Sequence, residues 1–344
     1  MSAATQHAPA TASFGALLKE VSRSFYLTLR VLPGKVRPQI GVAYLLARAT
    51  DTIADTQLVA IDRRLDALRD LQRRILSPDP TPVDLVGLAR QQGTTGEGRL
   101  LEQIETVLGW FARLAPEDQL RVREVLGFIT SGQELDLKRF ANASEGRITA
   151  LMTDHDLEDY TYRVAGCVGE FWTKTCRAHL FPKARLDDGQ LLKRGVRFGQ
   201  GLQLVNILRD LPADLRLGRC YVPLARLKPA GLRPAELLDA ANEPRFRALY
   251  RGYLDQAEGH LAAGWDYTNM LPWSAARVRL ACAWAILIGV RTLAELRVGN
   301  VLDATRRIKV SRAEVRRLVL GSLVYYPWRS RWSGQFDQCK RGGD

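Results

Sequence analysis

Asp51 and Asp55 in RATDTIADT, and Asp210 and Asp214 in VNILRDLPADLRLG, are two aspartate pairs with the same spacing. On a helix, residues four apart stand above one another on one face, so each pair can offer two carboxylates to the same space. Two such faces opposed across a cavity would hold hard divalent cations, most simply Mg2+ shared between carboxylates and substrate phosphates. Spacing alone is weak evidence, since 37 acidic residues in 344 give about four such pairs by chance placement. Asp62, Asp66 and Asp70 in AIDRRLDALRDLQRRIL repeat it, yet they alternate with Arg63, Arg64, Arg69, Arg73 and Arg74 at offsets that favour ion pairs on a solvated helix face. The first two pairs keep different company. Asp51 and Asp55 follow YLLARA, where Arg48 is the nearby cation, and Asp210 follows the apolar, amide-bearing run GLQLVNIL. Carboxylates on a largely apolar helix need a partner, and a bound cation supplies one.

More polar residues gather around the pairs. Ser22, Arg23 and Ser24 in SRSFYLTLRVLP stand ahead of a helix, and Tyr44 and Arg48 precede Asp51 by seven and three residues. Tyr44, Arg48, Asp51 and Asp55 therefore form one polar stripe along a helix. Tyr160 and Tyr162 precede VAGCVGEFW, whose Gly166 and Gly169 would weaken a helix unless something must approach its backbone closely. Gln203, Asn206, Arg209 and Asp210 recur at three- and four-residue steps. On the residues alone, plainer roles stay open: a hydrogen bond across a helix pair for Tyr160, an ion pair with Asp51 for Arg48, and satisfied core amides for Gln203 and Asn206.

The elements that must position these residues are helical almost throughout. Apolar periodicity predicts helices near 13–24, 36–56, 59–77, 97–114, 117–141, 154–180, 189–211, 234–263, 274–298 and 311–323, with Pro and Gly falling between them or at their first positions. Pro212 sits inside the second aspartate pair, so the helix carrying Gln203, Asn206 and Asp210 is expected to end or kink near Leu211. No strand pattern, internal repeat or Ser/Gly linker interrupts the helices, which favours one all-α domain over 12–330. Residues 1–11 are expected to be disordered and 331–344 to form a flexible tail.

Composition narrows the class. A 46% hydrophobic chain of 344 residues can bury a large core. Five scattered cysteines without metal-ligand spacing suit a reduced, cytoplasmic compartment. The N-terminus carries no secretory pattern, and the longest strongly apolar run, Leu280 to Val290, is far short of a membrane span. The net charge of +13 asks for an anionic partner. Absent any zinc-finger spacing or RNP-type motif, nucleic acid is disfavoured, leaving phosphorylated substrates and an anionic membrane surface. The basic, Trp- and Tyr-bearing stretch near the C-terminus suits peripheral contact with the inner face of a membrane, or an ordinary basic surface over a core helix.

The stretches SRSFYLTLRVLP, YLLARATDTIAD, DYTYRVAGCVGEFW and GLQLVNILRDLPADLRLGRCYVP, in that order, resemble the squalene and phytoene synthases, which join two prenyl diphosphates head to head. The likeness covers about residues 14–325 and is nearest to squalene synthases of the bacterial type. It implies a single-domain, all-α isoprenoid synthase fold with a central cavity, and condensation of two farnesyl diphosphates through presqualene diphosphate to squalene. By position, Asp51, Asp55, Asp210 and Asp214 would bind Mg2+; Ser22, Arg23, Tyr44, Arg48 and Arg209 would contact the diphosphates; Gln203 and Asn206 would line the site. Tyr160 would stand near the departing diphosphate and the proton lost in the first half-reaction. Lys309, with Arg312 close by, matches a basic position associated with the phosphate of NADPH. Ala54 and Ala213 stand where the family usually has glutamate, and Ala285 where eukaryotic-type squalene synthases tend to have proline. The neighbouring outcomes are phytoene, dehydrosqualene or unreduced presqualene diphosphate, and a non-enzymatic one is a membrane-associated helical scaffold that would have shed the metal carboxylates.

Overall fold

Apolar stripes repeating at helical spacing must be covered, and here they cover one another in two adjoining cores. The computed structural model describes residues 10–22, 26–77, 81–92 and 95–341. Among these, the first half holds α1 (Ala10–Ser22), α2 (Tyr26–Val31), α3 (Arg37–Asp55), α4 (Ile61–Leu76), α5 (Val86–Gln91), α6 (Gly96–Glu102), α7 (Ile104–Ala112) and α8 (Pro116–Arg139). The second half holds α9 (Asp154–Thr161), α10 (Cys167–Leu180), α11 (Asp188–Arg216), α12 (Leu224–Leu227), α13 (Glu243–Met270), α14 (Ala276–Val298), α15 (Arg312–Tyr325), α16 (Arg329–Ser333) and α17 (Gln335–Arg341). Two strands of two residues, β1 (Thr149–Ala150) and β2 (Arg219–Cys220), pair in parallel with Thr149 opposite Arg219. The all-α expectation is met, and a two-residue ladder leaves no alternation to read. No helix among the described residues is long and apolar enough to cross a membrane.

The partition of α3 shows how the cores position function. Leu45, Leu46, Ala49 and Ile53 are wholly buried in the first core, which leaves Asp51 and Asp55 to share a cavity with Tyr160, Gln203 and Arg219 of the second half. The second core is built on α11, α13 and α14, through Leu208, Leu215, Phe246, Leu254, Val278 and Leu287. All five cysteines are buried free thiols.

The glycines flagged by sequence lie where two helix backbones touch. Between α9 and α10 the chain widens into one π-helical turn, Tyr162–Gly166, an irregularity frequent at functional sites. This turn and α10 cross α11 so closely that a Cβ on Gly169 would stand 1.9 Å from the Gly195 carbonyl oxygen, and one on Gly199 2.1 Å from that of Ala165. No side chain fits there, and the approach explains the small-residue phrase VAGCVG.

Two expectations are corrected. Pro212 does not end α11, which runs on to Arg216. Proline lacks the N–H that the Leu208 carbonyl would accept, and the buried hydroxyl of Tyr250 on α13 donates to that carbonyl instead, at 3.0 Å. A side-chain donor from a packed neighbour thus replaces the missing rung, and Asp210 and Asp214 stay on one helix. Nor are residues 331–341 a flexible tail, since α16 and α17 bury Trp332, Phe336 and Cys339, the last three residues lying outside the described ones. The Trp332 indole donates to Asn269 Oδ1 at 2.8 Å and stacks on Trp265. Arg279 lies over the Trp332 ring while donating to the Thr268 and Leu271 carbonyls at the end of α13, groups a helix terminus leaves unpaired. Alternating Arg and Trp reads as surface, yet the Trp332 ring has a place in an aromatic box with Trp265, Trp273 and Tyr326. The expected N-terminal disorder falls mostly outside the described residues, and α1 begins at Ala10.

Elsewhere the differences are local. The expected helix over 97–114 is broken at Gln103 into α6 and α7, two 3-10 turns precede α13, and α2, α5 and α12 are too short for periodicity to show.

If the backbone crossing carries the geometry, Gly169→Ala lowers stability by about 1–3 kcal/mol or more despite alanine's better helix propensity. Gly252→Ala, on exposed α13 backbone with nothing within 4 Å, raises it by about 0.5–1 kcal/mol. Thermal melts of the two variants check this, and a Gly169→Ala protein as stable as the parent would contradict it.

Candidate active site

The seam between the two cores holds a largely apolar cavity of about 380 Å³, walled by residues of both, among them Ile40, Ile129, Phe171, Trp172, Phe198 and Leu202. A polar cavity of about 240 Å³ adjoins it, lined by Asp51, Asp55, Gln133, Asp136, Tyr160, Arg219 and Tyr221. Asp51, Val164 and Gln203 line both and mark the junction.

Each carboxylate has a distinct setting. Gln133 donates to Asp51 at 2.5 Å. Burial, then the charge of Asp55, pushes the Asp51 carboxyl up to about 6, against the pull of Arg48. Asp55 is exposed and lies 3.9 Å from Arg219. Asp210 lines neither cavity; Arg209 holds it with bonds of 2.9 and 2.5 Å, and Arg307 stands 3.6 Å away. Asp214, also outside both linings, is pushed up to about 7 by burial and then by Asp210, with Asp136 and Asp55 adding to the push and Arg219 opposing it. Because Asp55 on α3 acts on Asp214 on α11, the two pairs face one region, as their common spacing suggested. Among the described residues, no group of three or more His, Cys, Asp or Glu side chains converges as a metal site by itself. A hard cation held here would need oxygens from a substrate as well, which oxygen-only carboxylate donors suit.

The remaining expected residues divide. Gln203 lines both cavities, and Tyr44 and Asn206 the apolar one. The Tyr44 hydroxyl donates to the Val21 carbonyl at 3.1 Å. Asn206 is exposed and Gln203 half-buried, so neither is a core amide. Arg48 pairs with Glu97 at 2.6 Å rather than with Asp51. Ser22 lines neither cavity; it is buried and donates to the Leu18 carbonyl at 2.5 Å, so its hydroxyl closes α1 and does not face the site. Arg23 lies outside the described residues, as does Ser24. Lys309 and Arg312 are exposed and line neither cavity, and it is Arg307 of the same segment that reaches the carboxylates.

Gln133, Asp136, Arg219 and Tyr221 of the polar cavity went unnoticed in sequence. Tyr221 donates to Asp136 at 2.7 Å, and the Tyr160 hydroxyl stands 3.4 Å from that of Tyr221, the rings stacked at 4.9 Å. Burial pushes Asp136 up to about 6. Arg219 follows Gly218, whose φ of +79° and close approach to Ser144 exclude a side chain and aim the next residue at Asp55. Arg219 and Tyr221 belong to the phrase GRCYVP, whereas Asp136 hides in a charged helix that reads as surface. Arg64 is buried and donates to the Ala54 carbonyl at 2.8 Å, which corrects its reading as a surface partner. Its neighbours do pair on the surface, Arg69 with Asp66 at 3.8 Å and Arg73 with Asp70 at 3.0 Å.

Comparison with known proteins places this geometry. The squalene/phytoene synthase family profile matches residues 18–314. A bifunctional lycopene cyclase/phytoene synthase of Colletotrichum graminicola is 28% identical over 76% of this chain and 42% of its own length. The squalene synthase ERG9 of Saccharomyces cerevisiae is 29% identical over 60% of this chain and 44% of its own. The chain spans less than half the length of these curated relatives. Among solved structures, TcSQS with a bound ligand superposes with a TM-score of 0.75 at 19% identity, covering 96% of this chain and 97% of that one. A dehydrosqualene synthase does so at 0.64 and 22%, covering 92% and 96%. At such identities the structural likeness establishes the fold.

The raised carboxyls fix a direction of pH dependence. Asp214 titrates near 7 when folded, against an ordinary value of 3.8, so the folded state favours its protonated form. Its stabilising share is complete below about pH 4 and is lost as pH rises toward 7. Without divalent metal, Asp214→Asn should therefore melt higher than the parent at pH 8, by a margin that closes toward pH 4. Melting curves across that range test it, and a margin independent of pH would refute it.

Proposed function

This chain belongs to the squalene/phytoene synthase family, and from that premise we propose that it condenses two farnesyl diphosphates through presqualene diphosphate to squalene, with NADPH as reductant. The observation that carries the reading is the passage from a carboxylate-lined polar cavity into an apolar one, joined at Asp51 and Gln203. Such a shape suits a molecule with a charged head and a hydrocarbon tail.

Ionising an allylic diphosphate leaves a carbocation and a polyanion. Mg2+, when bound between the diphosphates and Asp51, Asp55, Asp210 and Asp214, supplies the Lewis acidity that eases cleavage of the C1–O bond. Arg48, Arg209 and Arg219 face the developing charge from the protein side. Gln203 sits where head meets tail, and Tyr44 and Asn206 line the apolar wall beyond it. Phe171, Trp172 and Phe198 keep water from the cation, and their ring faces favour it.

Tyr160 is the residue assigned to the proton that leaves as the cyclopropane closes. Asp136 as a carboxylate only accepts, so Tyr221 spends its proton there and offers Tyr160 a lone pair. The Tyr160 oxygen is then left as an acceptor toward the cavity. A proton arriving at Tyr160 displaces its own to Tyr221 and that of Tyr221 to Asp136, which ends protonated. Lys309 and Arg312 are the exposed cations that would meet the phosphate of NADPH, which would supply hydride for the second half-reaction. The second reading, phytoene synthase, is favoured by the relatives of that activity and differs in chain length and reductant.

Purified protein incubated with farnesyl or geranylgeranyl diphosphate and Mg2+, with and without NADPH, should yield squalene from farnesyl diphosphate when NADPH is present. Preference for geranylgeranyl diphosphate without NADPH would move the assignment to phytoene synthase, and turnover of neither would end the enzymatic reading. Asp51→Asn and Asp210→Asn should each lower turnover by about 100-fold or more with helicity intact. Tyr221→Phe, which removes the acceptor behind Tyr160, should lower kcat by about tenfold or more with KM little changed. Parent-like kcat in that variant would remove Tyr221 and Asp136 from the proton path.

A further inference from the structure

The outer face of α15 carries features that the carboxylate site does not use. Leu320, Leu323 and Val324 are 62%, 44% and 58% exposed, and Trp328, just before α16, is 53% exposed. Steps of three and four place the aliphatic residues on one side of the helix. Leu320 and Val324 share a shallow surface depression with Arg316 and Arg317. The helix itself is firmly seated. Its inner side packs Leu318 and Val319 on the core, and buried Ser322 accepts from the Trp284 indole at 2.8 Å. Scattered exposed leucines need no explanation, but a contiguous apolar strip held in water by a seated helix does.

Charge surrounds that strip. Between Arg306 and Arg331 the chain has eight basic residues and one acidic, Glu314. Glu314 is turned inward, 2.6 Å from Arg291 on α14 and 3.7 Å from Arg317, and as the one acid among eight bases it leaves most of the positive charge of the stretch in place. Arg331 lies 5.7 Å over the Trp328 ring, holding a cation and an amphipathic ring side by side at the end of the strip.

We propose that this face docks on an anionic lipid bilayer, with Leu320, Leu323, Val324 and Trp328 entering the boundary between headgroups and acyl chains, and Arg316, Arg317 and Arg331 on the headgroup phosphates. A second copy of the chain would bring like charges face to face in a two-fold pairing. Nucleic acid would engage the arginines and leave the aliphatic strip in water. A bilayer of negative surface charge satisfies both halves of the face, and the inference is independent of the reaction proposed above.

The test is co-sedimentation of the full chain with sucrose-loaded vesicles of phosphatidylcholine and phosphatidylglycerol at a 7:3 ratio, against pure phosphatidylcholine vesicles. The parent should bind the mixed vesicles and lose binding with salt. Arg316→Glu with Arg317→Glu should weaken it by about 25-fold or more, and Leu320→Ser, Val324→Ser and Trp328→Ser together by about tenfold or more. All these positions are exposed, and circular dichroism confirms that both variants fold. No binding by the parent, equal binding to neutral vesicles, or parent-like binding by either variant overturns the proposal. So does a dimer in gel filtration that the serine variant splits while vesicles are ignored, or binding of duplex DNA without binding of vesicles.

Discussion

Three partly buried carboxyl groups, Asp51, Asp136 and Asp214, lie within electrostatic reach of Asp55 and Asp210, and burial joined to mutual repulsion is the constraint to which the surrounding structure answers. Burial removes the water that would screen them, so each raises its neighbours' tendency to hold a proton. The fold relieves the crowding piecemeal: Gln133 donates to Asp51, Tyr221 to Asp136, Arg209 and Arg307 flank Asp210, and Arg219 stands near Asp55. Burial, and after it the neighbouring charges, still holds Asp51 up at about 6 and Asp214 at about 7. An unrelieved surplus of negative charge at a cavity mouth is stored affinity for cations, and a structure built only for stability would have no use for it.

Holding those groups apart yet facing one another requires rigid helices in close register. The π-helical turn and α10 meet α11 with backbone against backbone at Gly169, Gly195 and Gly199, which sets the distance from Tyr160 and Val164 to Gln203. On the other side of α11, the Tyr250 hydroxyl completes the rung that Pro212 cannot make. The two devices have opposite forms, one removing side chains so that backbones touch and one adding a side chain to stand in for backbone. Both act on α11, which runs unbroken through the residues that carry the second pair.

Much of this was legible in the chain. The periodicity that gave helices is a local property, and so is the stripe from Tyr44 to Asp55; the phrase VAGCVG already implied a close approach of backbones. Less legible were contacts whose partners are distant in sequence. Pro212 reads as a helix end because Tyr250, 42 residues on from the Leu208 carbonyl it serves, is invisible to any local rule. The last fourteen residues read as tail because charge and glycine dominate them, while Trp332 is buried by Asn269, Trp265 and Arg279. Ser22 looked like a ligand by its place in a motif and proves to be spent on the Leu18 carbonyl. Arg64 and Asp136 sat among charges that average to a solvated face, and only packing singled them out.

The sequence by itself therefore determined the helical class, the family, the two carboxylate pairs and the reason for the glycines, because each rests on residue type and on spacing along a single helix. Tertiary structure decided which charges meet. That Arg48 serves Glu97, that Arg307 rather than Lys309 reaches Asp210, and that Tyr160, Tyr221 and Asp136 form one line are facts of helices brought together from far along the chain. Electrostatic coupling falls with distance in space and is indifferent to distance in sequence, so the site's chemistry took its form only when α3, α8, α11 and β2 closed around a common cavity.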